Sequence, residues 1–190
     1  ADDLIGTLAR QAEQAGYDVV IVTGDKDMLQ LVTSHVRIYD PVKDKWSSNA
    51  ECVAKFGVEP GRVIEVMGLM GDASDNIPGV KGIGEKTAMK LIAQFGTIDE
   101  LLRRLDEVTP ARIKTLLSEQ ADQARLSRKL ATIDIQSPVE FHPESYRIKP
   151  PHEEPLAELL RELEFTSLLK SLQPSPKPLD RPMRRTSRAT

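Results

Sequence analysis

Near the amino end, Leu4, Ile5, Leu8, Ala9 and Ala12 recur at the three-to-four spacing of a helix that lays one face on a sheet, and Asp2 stands where a cap would. The unbroken run Val19, Val20, Ile21, Val22 predicts a strand over residues 17–23 that is buried on both faces, and so a parallel sheet. Gly24 and Asp25 fall just past its carboxyl end, the edge where open α/β sheets bind ligands. Met28, Leu29, Leu31 and Val32 predict a short helix. Residues 36–39 and the turn Pro41-Val42-Lys43-Asp44 predict a strand or hairpin, with Trp46 packed beside it.

From there the period is helical. Asn49 is placed to cap a helix ending at Phe56-Gly57, and Pro60 with Gly61 opens another through Val63, Ile64, Val66, Met67 and Leu69. Helical spacing continues over residues 87–95, 98–105, 110–133 and 153–163. Beyond Leu172 the segment Gln173-Pro174-Ser175-Pro176-Lys177-Pro178, followed by arginines and small polar residues, is expected to be a disordered tail or linker. The fold class is therefore α/β, with a partial core over 1–75, a helical subdomain over 60–172 sharing residues 60–75, and a tail over 173–190.

With 190 residues, 39% of them hydrophobic, the chain can bury a real core. Its longest apolar runs fall far short of a membrane span, and no basic, apolar leader is visible, so a soluble protein without a membrane partner is expected. The single cysteine, Cys52, excludes an internal disulfide and a cysteine-based zinc cluster, and three scattered histidines argue against a soft-metal site.

Six aspartates in three clusters change the picture: Asp2 and Asp3, then Asp25 and Asp27 in Thr23-Gly24-Asp25-Lys26-Asp27, then Asp72 and Asp75 in Gly71-Asp72-Ala73-Ser74-Asp75-Asn76. Carboxylates brought together repel unless cations sit between them, so their recurrence points to a hard-metal site. Any one such cluster taken alone is more often a cap or a turn. The formal net charge is −3, and without these six aspartates the remainder carries +3. Residues 79–95 carry a net +2 and the last 14 residues a net +4. An acidic focus beside basic surfaces suits a polyanion held by Lys and Arg, although charge alone favours an ordinary solvated surface.

The stretch Asn76-Ile77-Pro78-Gly79-Val80-Lys81-Gly82-Ile83-Gly84-Glu85-Lys86-Thr87 invites a phosphate-binding P-loop, but Glu85 intrudes between Gly84 and Lys86 and no apolar strand leads in. A helix, a glycine-rich turn and a second helix form instead the helix-hairpin-helix pattern. In it Gly79, Gly82 and Gly84 let backbone amides approach a phosphate, with Lys81, Lys86 and Thr87 flanking. Such a clamp reads backbone shape and not base edges. Alone it would support only a DNA-binding module, or a connection between packed helices.

Taken together, Ala1-Asp2-Asp3, Thr23-Gly24-Asp25-Lys26-Asp27 and the motif over residues 71–87 resemble the 5′ nuclease (5′-3′ exonuclease) domain of bacterial DNA polymerase I and the wider flap endonuclease superfamily, over residues 1–172. The resemblance implies a PIN-like sheet core followed by a helix-hairpin-helix subdomain. It implies cleavage of DNA at a 5′ flap, nick or duplex end in primer removal and repair, in the bacterial cytoplasm at the nucleoid, with polymerase domains covalently attached in a parent protein. It further implies two Mg²⁺ or Mn²⁺ ions, Asp2 and Asp3 at the first and Asp25, Asp27, Asp72 and Asp75 mainly at the second, plus K⁺ at the hairpin.

The family pattern places a Glu directly before Ala1 and, further upstream, the first core strand, more metal-ligand aspartates and a basic helical arch. The chain is thus expected to be the carboxyl-terminal portion of a nuclease, weak in binding and slow in cleavage by itself. The competing reading is a noncatalytic, structure-selective DNA-binding module.

Overall fold

The structure is a computed structural model and describes residues 1–172. The expected tail over 173–190 lies outside the described residues. Two compact units divide the chain, residues 1–143 and residues 144–190.

The first unit opens with helix α1 (Asp2–Gln14), strand β1 (Val19–Val22), a 3-10 turn over Asp27–Leu31, and strands β2 (Val36–Asp40) and β3 (Lys45–Ser47). The sheet runs β1-β2-β3, with β1 parallel to β2 in the register Val19 opposite Val36 and β3 returning antiparallel as a hairpin. Trp46 packs its ring against Tyr39 with centroids 4.9 Å apart, and Arg37 lies over it. The strand over residues 17–23 was expected to be buried on both faces. Instead Ile21 is buried while Val20 and Val22 are 40% and 63% exposed, because α1 packs on one side and the other face is left open.

Helix α1 departs from expectation in a related way. It starts at Asp2 with Ala1 as its cap residue and no side-chain cap bond, so Asp2 belongs to the first turn. Leu4 and Ile5 are exposed, while Gly6, Thr7, Ala9 and Ala12 are buried. A polar ladder explains the rotation of the helix. Asp3, Thr7 and Gln11, spaced four apart on one face, hydrogen-bond the backbone of the segment that follows the last helix of this unit: Asp134 N–H donates to Asp3 (2.8 Å), Ser137 N–H to Thr7 (3.1 Å) and Phe141 N–H to Gln11 (2.7 Å).

The helical part contains α2 (Asn49–Phe56), α3 (Val63–Met70), α4 (Glu85–Phe95), α5 (Ile98–Arg103), α6 (Ala111–Glu119) and α7 (Ala121–Ala131). Ser48, and not Asn49, caps α2, through a reciprocal box with Glu51. Pro60 and Gly61 fall in a 3-10 turn before α3, and α4 begins two residues before Thr87, with Gly84 as its cap. The single helix expected over 110–133 is two, broken at Gln120, and the helix expected to reach Leu105 stops at Arg103. Helix α3 is the centre, with Val63, Val66, Met67 and Leu69 fully buried between α4 and α7. At its middle the buried Glu65 accepts the Ile98 amide (2.8 Å) and pairs with Arg128, which also binds Asp99 (2.9 Å). Those bonds fix the start of α5 and one face of α7 against α3.

The second unit holds α8 (Glu153–Glu162) and α9 (Thr166–Leu172), which pack on each other. Among the described residues, no helix is long and apolar enough to cross a membrane.

Candidate metal centre and nucleic-acid interface

Three of the six aspartates meet. Asp27, Asp72 and Asp75 each present an oxygen within 4.8 Å of the others. Asp27 reaches this point because the chain turns sharply after β1: the Asp25 amide bonds Thr23 Oγ1 (3.0 Å), the Asp27 amide bonds Asp25 Oδ1 (2.9 Å), and Asp27 then starts the 3-10 turn. Asp72 and Asp75 are set by a closed loop after α3. Its ends pair as Asp72 N–H to Ile77 O and Ile77 N–H to Asp72 O, both 2.8 Å, while the Ser74 amide bonds Asp72 Oδ1 (2.9 Å). Asn76 takes a left-handed conformation (φ +56°), which brings the loop back on itself.

Asp25 is exposed beside the trio. Asp2 and Asp3, on the first turn of α1, line a cleft of about 310 Å³ together with Asp27 and Asp75. Asp3 is also the acceptor for the Asp134 amide, so it ties α1 to the segment after α7 as well as facing the cleft.

The electrostatics are those of a cation site. Burial, and then the charges of Asp25, Asp72 and Asp75, push the Asp27 carboxyl up to about 7. Asp27 Oδ1 is buried with no hydrogen-bond partner among the described residues. Burial opposes ionisation of Asp72 too, but Lys26 and the Ser74 amide outweigh it and hold its carboxyl below the usual carboxylate range. Lys26 Nζ sits 2.7 Å from Asp72 Oδ2, a protein cation placed against the cluster. An all-carboxylate donor set with one buried, unbonded oxygen fits a hard divalent ion and gives a soft one no thiolate or imidazole.

The glycine-rich turn follows within a few residues. Val80 and Ile83 are its buried anchors, with the Val80 amide bonding Leu69 O (2.8 Å). Gly79 faces inward: its amide donates to the buried Ser127 hydroxyl on α7 (3.0 Å). Gln120, at the break between α6 and α7, grips Lys81 from both sides, its Oε1 accepting the Lys81 amide (2.8 Å) and its Nε2 donating to the Lys81 carbonyl (3.2 Å). Gly82, Gly84, Lys81 and Lys86 are exposed and Thr87 is half-buried. The amides of Gly82, Gly84, Glu85 and Lys86 meet no backbone or side-chain acceptor among the described residues. Unbonded amides at the start of an 11-residue helix, with lysines on either side, form a ready phosphate cradle.

Gly84 is the clean probe of that cradle. A Cβ there meets nothing within 4 Å, and its φ of −94° suits any residue. Gly84→Val is therefore expected to change stability by no more than about 1 kcal/mol, through the cap alone, while lowering duplex-DNA affinity about tenfold by holding phosphate off the amides. Thermal unfolding and fluorescence anisotropy check the two halves, and unchanged affinity would remove Gly84 from the interface.

Sequence reasoning did not find Gln120 and Ser127, which hold the turn from 39 and 48 residues away. It passed over Lys26 as a partner of Asp72, although the alternation Asp25-Lys26-Asp27 placed it in the motif.

Comparison with known proteins completes the picture. The sequence profile for "5'-3' exonuclease, N-terminal resolvase-like domain" matches residues 1–57, and that for "5'-3' exonuclease, C-terminal SAM fold" matches residues 58–154. DNA polymerase I of Chloroflexus aurantiacus is 48% identical over 182 residues, covering 90% of this chain and 19% of that protein. DNA polymerase I of Bacillus caldotenax is 41% identical over 177 residues, covering 91% of this chain and 20% of its own length. The chain thus spans about a fifth of the length of these curated relatives. In fold it is similar to a zinc-bound T5 5'-exonuclease (TM-score 0.64, 21% identity, 70% of this chain and 49% of that one). It is likewise similar to the catalytic core of Rad2 in complex with a DNA substrate (TM-score 0.61, 15% identity, 88% of this chain and 61% of that one). With the two profiles matching adjoining stretches over residues 1–154, and the carboxylate cluster and glycine turn both falling within that range, the chain belongs to the 5'-3' exonuclease family.

Proposed function

We propose that this chain carries the hydrolytic centre of a structure-specific 5′ nuclease, cutting DNA phosphodiesters near a 5′ flap, nick or duplex end during primer removal and repair in the bacterial cytoplasm, within a protein that also has polymerase domains. The observation that carries this reading is the trio Asp27, Asp72 and Asp75 within 4.8 Å, a few residues from the glycine turn. The noncatalytic binding module accounts for the turn but gives no reason to gather three carboxylates, one of them buried, at a free-energy cost.

In this reading Asp27, Asp72 and Asp75, with Asp25, Asp2 and Asp3 around them, hold two Mg²⁺ or Mn²⁺ ions, and K⁺ sits at the hairpin. Divalent ions bound there would lower the pKa of a water molecule and neutralise charge on the reacting phosphate. The chain's own residues do the positioning. Gly82, Gly84 and the first turn of α4 hold a backbone phosphate by their amides, Lys81 and Lys86 add charge, and Gln120 keeps the Lys81 peptide fixed. The DNA is gripped by its backbone, so its shape and not its base sequence selects the site.

Cleavage of paired 5′-flap and 3′-flap substrates in Mg²⁺ by the intact protein tests this. A strong preference for the 5′ flap is the expected result. Equal cleavage of both, or tight binding with no cleavage in any divalent metal, would overturn the proposal. Lys81→Ala/Lys86→Ala is expected to weaken binding equally across unrelated duplex sequences and to make the slope of log affinity on log salt shallower by about 2. A salt titration on several duplexes checks it, and a loss confined to one sequence would indicate base reading.

A further inference from the structure

A second cleft lies beside the carboxylates, and beyond Thr23-Gly24-Asp25-Lys26 its walls come from outside the motifs. It has a volume of about 270 Å³ and is walled by the end of β1, the β2–β3 hairpin and α2. Lys26, Lys43, Lys45 and Lys55 all line it. Gly24, Asp25, Lys26, Lys43 and Lys55 also line an adjoining cleft that contains Asp72 and Asp75, so the lysines and the metal-binding oxygens face one continuous groove.

Two of these lysines are already committed, Lys26 to Asp72 and Lys43 to Asp40 (2.8 Å). Lys45 and Lys55 have no carboxylate within ion-pair distance among the described residues. Glu51, which also lines the cleft, accepts the Ser48 amide in the cap of α2. Lys55 is exposed, yet partial loss of hydration along the groove, and then the charges of Lys43, Lys26 and Lys45, hold its ammonium below its ordinary range, while Glu85 opposes them. Asp25, Asp40 and Glu51 share the groove, but Asp40 is taken by Lys43 and Glu51 by the cap of α2, so Lys45 and Lys55 leave positive charge there that attracts an anion.

Helix α2, which carries Lys55, packs near the helix that follows the glycine turn. Lys55 lies in the last turn of α2, and a Cβ on the next glycine, Gly57, would sit 3.6 Å from Met89 Cε on α4. The groove opens at one end onto Asp72 and Asp75 and at the other onto the β2–β3 hairpin and α2.

We propose that Lys45 and Lys55 form a second phosphate anchor, which holds successive phosphodiesters of one DNA strand along the groove that leads from Asp72 and Asp75 to the β2–β3 hairpin. This rests on the nuclease reading and names where the strand runs. Lys43 contributes as a ligand that must first leave Asp40. The anchor supplies affinity and alignment without touching the reacting phosphate, so Lys45 and Lys55 are positioning residues.

The test uses the intact protein, a 5′-flap DNA, Ca²⁺ for binding and Mg²⁺ for cleavage. Lys45→Glu/Lys55→Glu is expected to weaken binding at least tenfold, to make the salt slope shallower by about 1.5, and to raise KM more than it lowers kcat; Lys45→Arg/Lys55→Arg is expected to keep all three near wild type. Both positions are exposed, and thermal unfolding confirms that the variants fold. Unchanged affinity and slope in the glutamate pair, while Lys81→Ala/Lys86→Ala still weakens binding, would overturn the anchor and leave the nuclease reading standing. Loss of kcat at unchanged KM would also overturn it. Displacement of the DNA by micromolar thymidine monophosphate at constant ionic strength would assign the cleft to free phosphate esters and overturn the strand assignment. Failure of the wild-type protein to bind or cut DNA would remove both readings together.

Discussion

Asp72→Ala is expected to slow strand cleavage in Mg²⁺ by about 10³-fold or more, a loss of roughly 4 kcal/mol of transition-state stabilisation, while duplex binding in Ca²⁺ stays near wild type. Asp72 is the buried member of the trio and is held from two sides, by Lys26 on Oδ2 and the Ser74 amide on Oδ1. Removing its carboxylate takes away one oxygen donor of the proposed metal site and also frees Lys26 to swing elsewhere. The same change removes one of the charges that repel Asp27, so the metal-free protein should lose little stability. The combination of lost rate, kept binding and kept stability is what separates a metal ligand from a structural carboxylate. A variant that cleaves normally, or one that unfolds, would contradict the assignment.

Gly79→Ala carries the largest expected effect on stability, a loss of about 3–5 kcal/mol. The added Cβ would lie 2.3 Å from the Gly71 nitrogen and 2.6 Å from the Met70 carbonyl carbon, both backbone atoms that no side-chain rotation can move. The residue also has φ +62°, where any side chain is strained. Relief would require the loop bearing Asp72 and Asp75 to part from the end of α3, so cleavage should fall along with the melting temperature. Gly84→Ala, in the same turn but facing open space, serves as the control and should melt near wild type. Equal melting temperatures for the two variants would show that the turn is not packed against the carboxylate loop as described.

Much of the site was legible because its chemistry is local. Asp25 and Asp27 follow an apolar run directly, Asp72 and Asp75 share one six-residue loop, and a strand end or helix end is where such residues are delivered to solvent. The glycine turn was legible for the same reason, since Gly82, Gly84, Lys81 and Lys86 stand within six residues. What stayed hidden depends on contacts far apart in sequence. Nothing in the neighbourhood of Gln120 marks it as the clamp on Lys81, and the apolar spacing runs on through the break that it makes. Lys45 and Lys55 meet only because the β2–β3 hairpin folds against α2.

The two errors of burial have one common source. An apolar run states that a strand can be buried and not which face receives a neighbour, so Val20 and Val22 were expected inside and are exposed. Leu4 and Ile5 were expected inside for the same reason, while the polar Thr7 took the buried position through bonds to residues 134 and 137. Apolar content sets the buried face of a helix only when no hydrogen-bond ladder competes for it.

The proposed hydrolytic centre requires that Asp27, Asp72 and Asp75 bind a divalent cation. Electron paramagnetic resonance of Mn²⁺, titrated into the intact protein and into its Asp27→Asn/Asp75→Asn variant, measures this without any assay of cleavage. The account predicts tight binding by the wild type that the double variant loses, with free Mn²⁺ signal appearing from the first additions. Identical Mn²⁺ stoichiometry and affinity in the two proteins would contradict it.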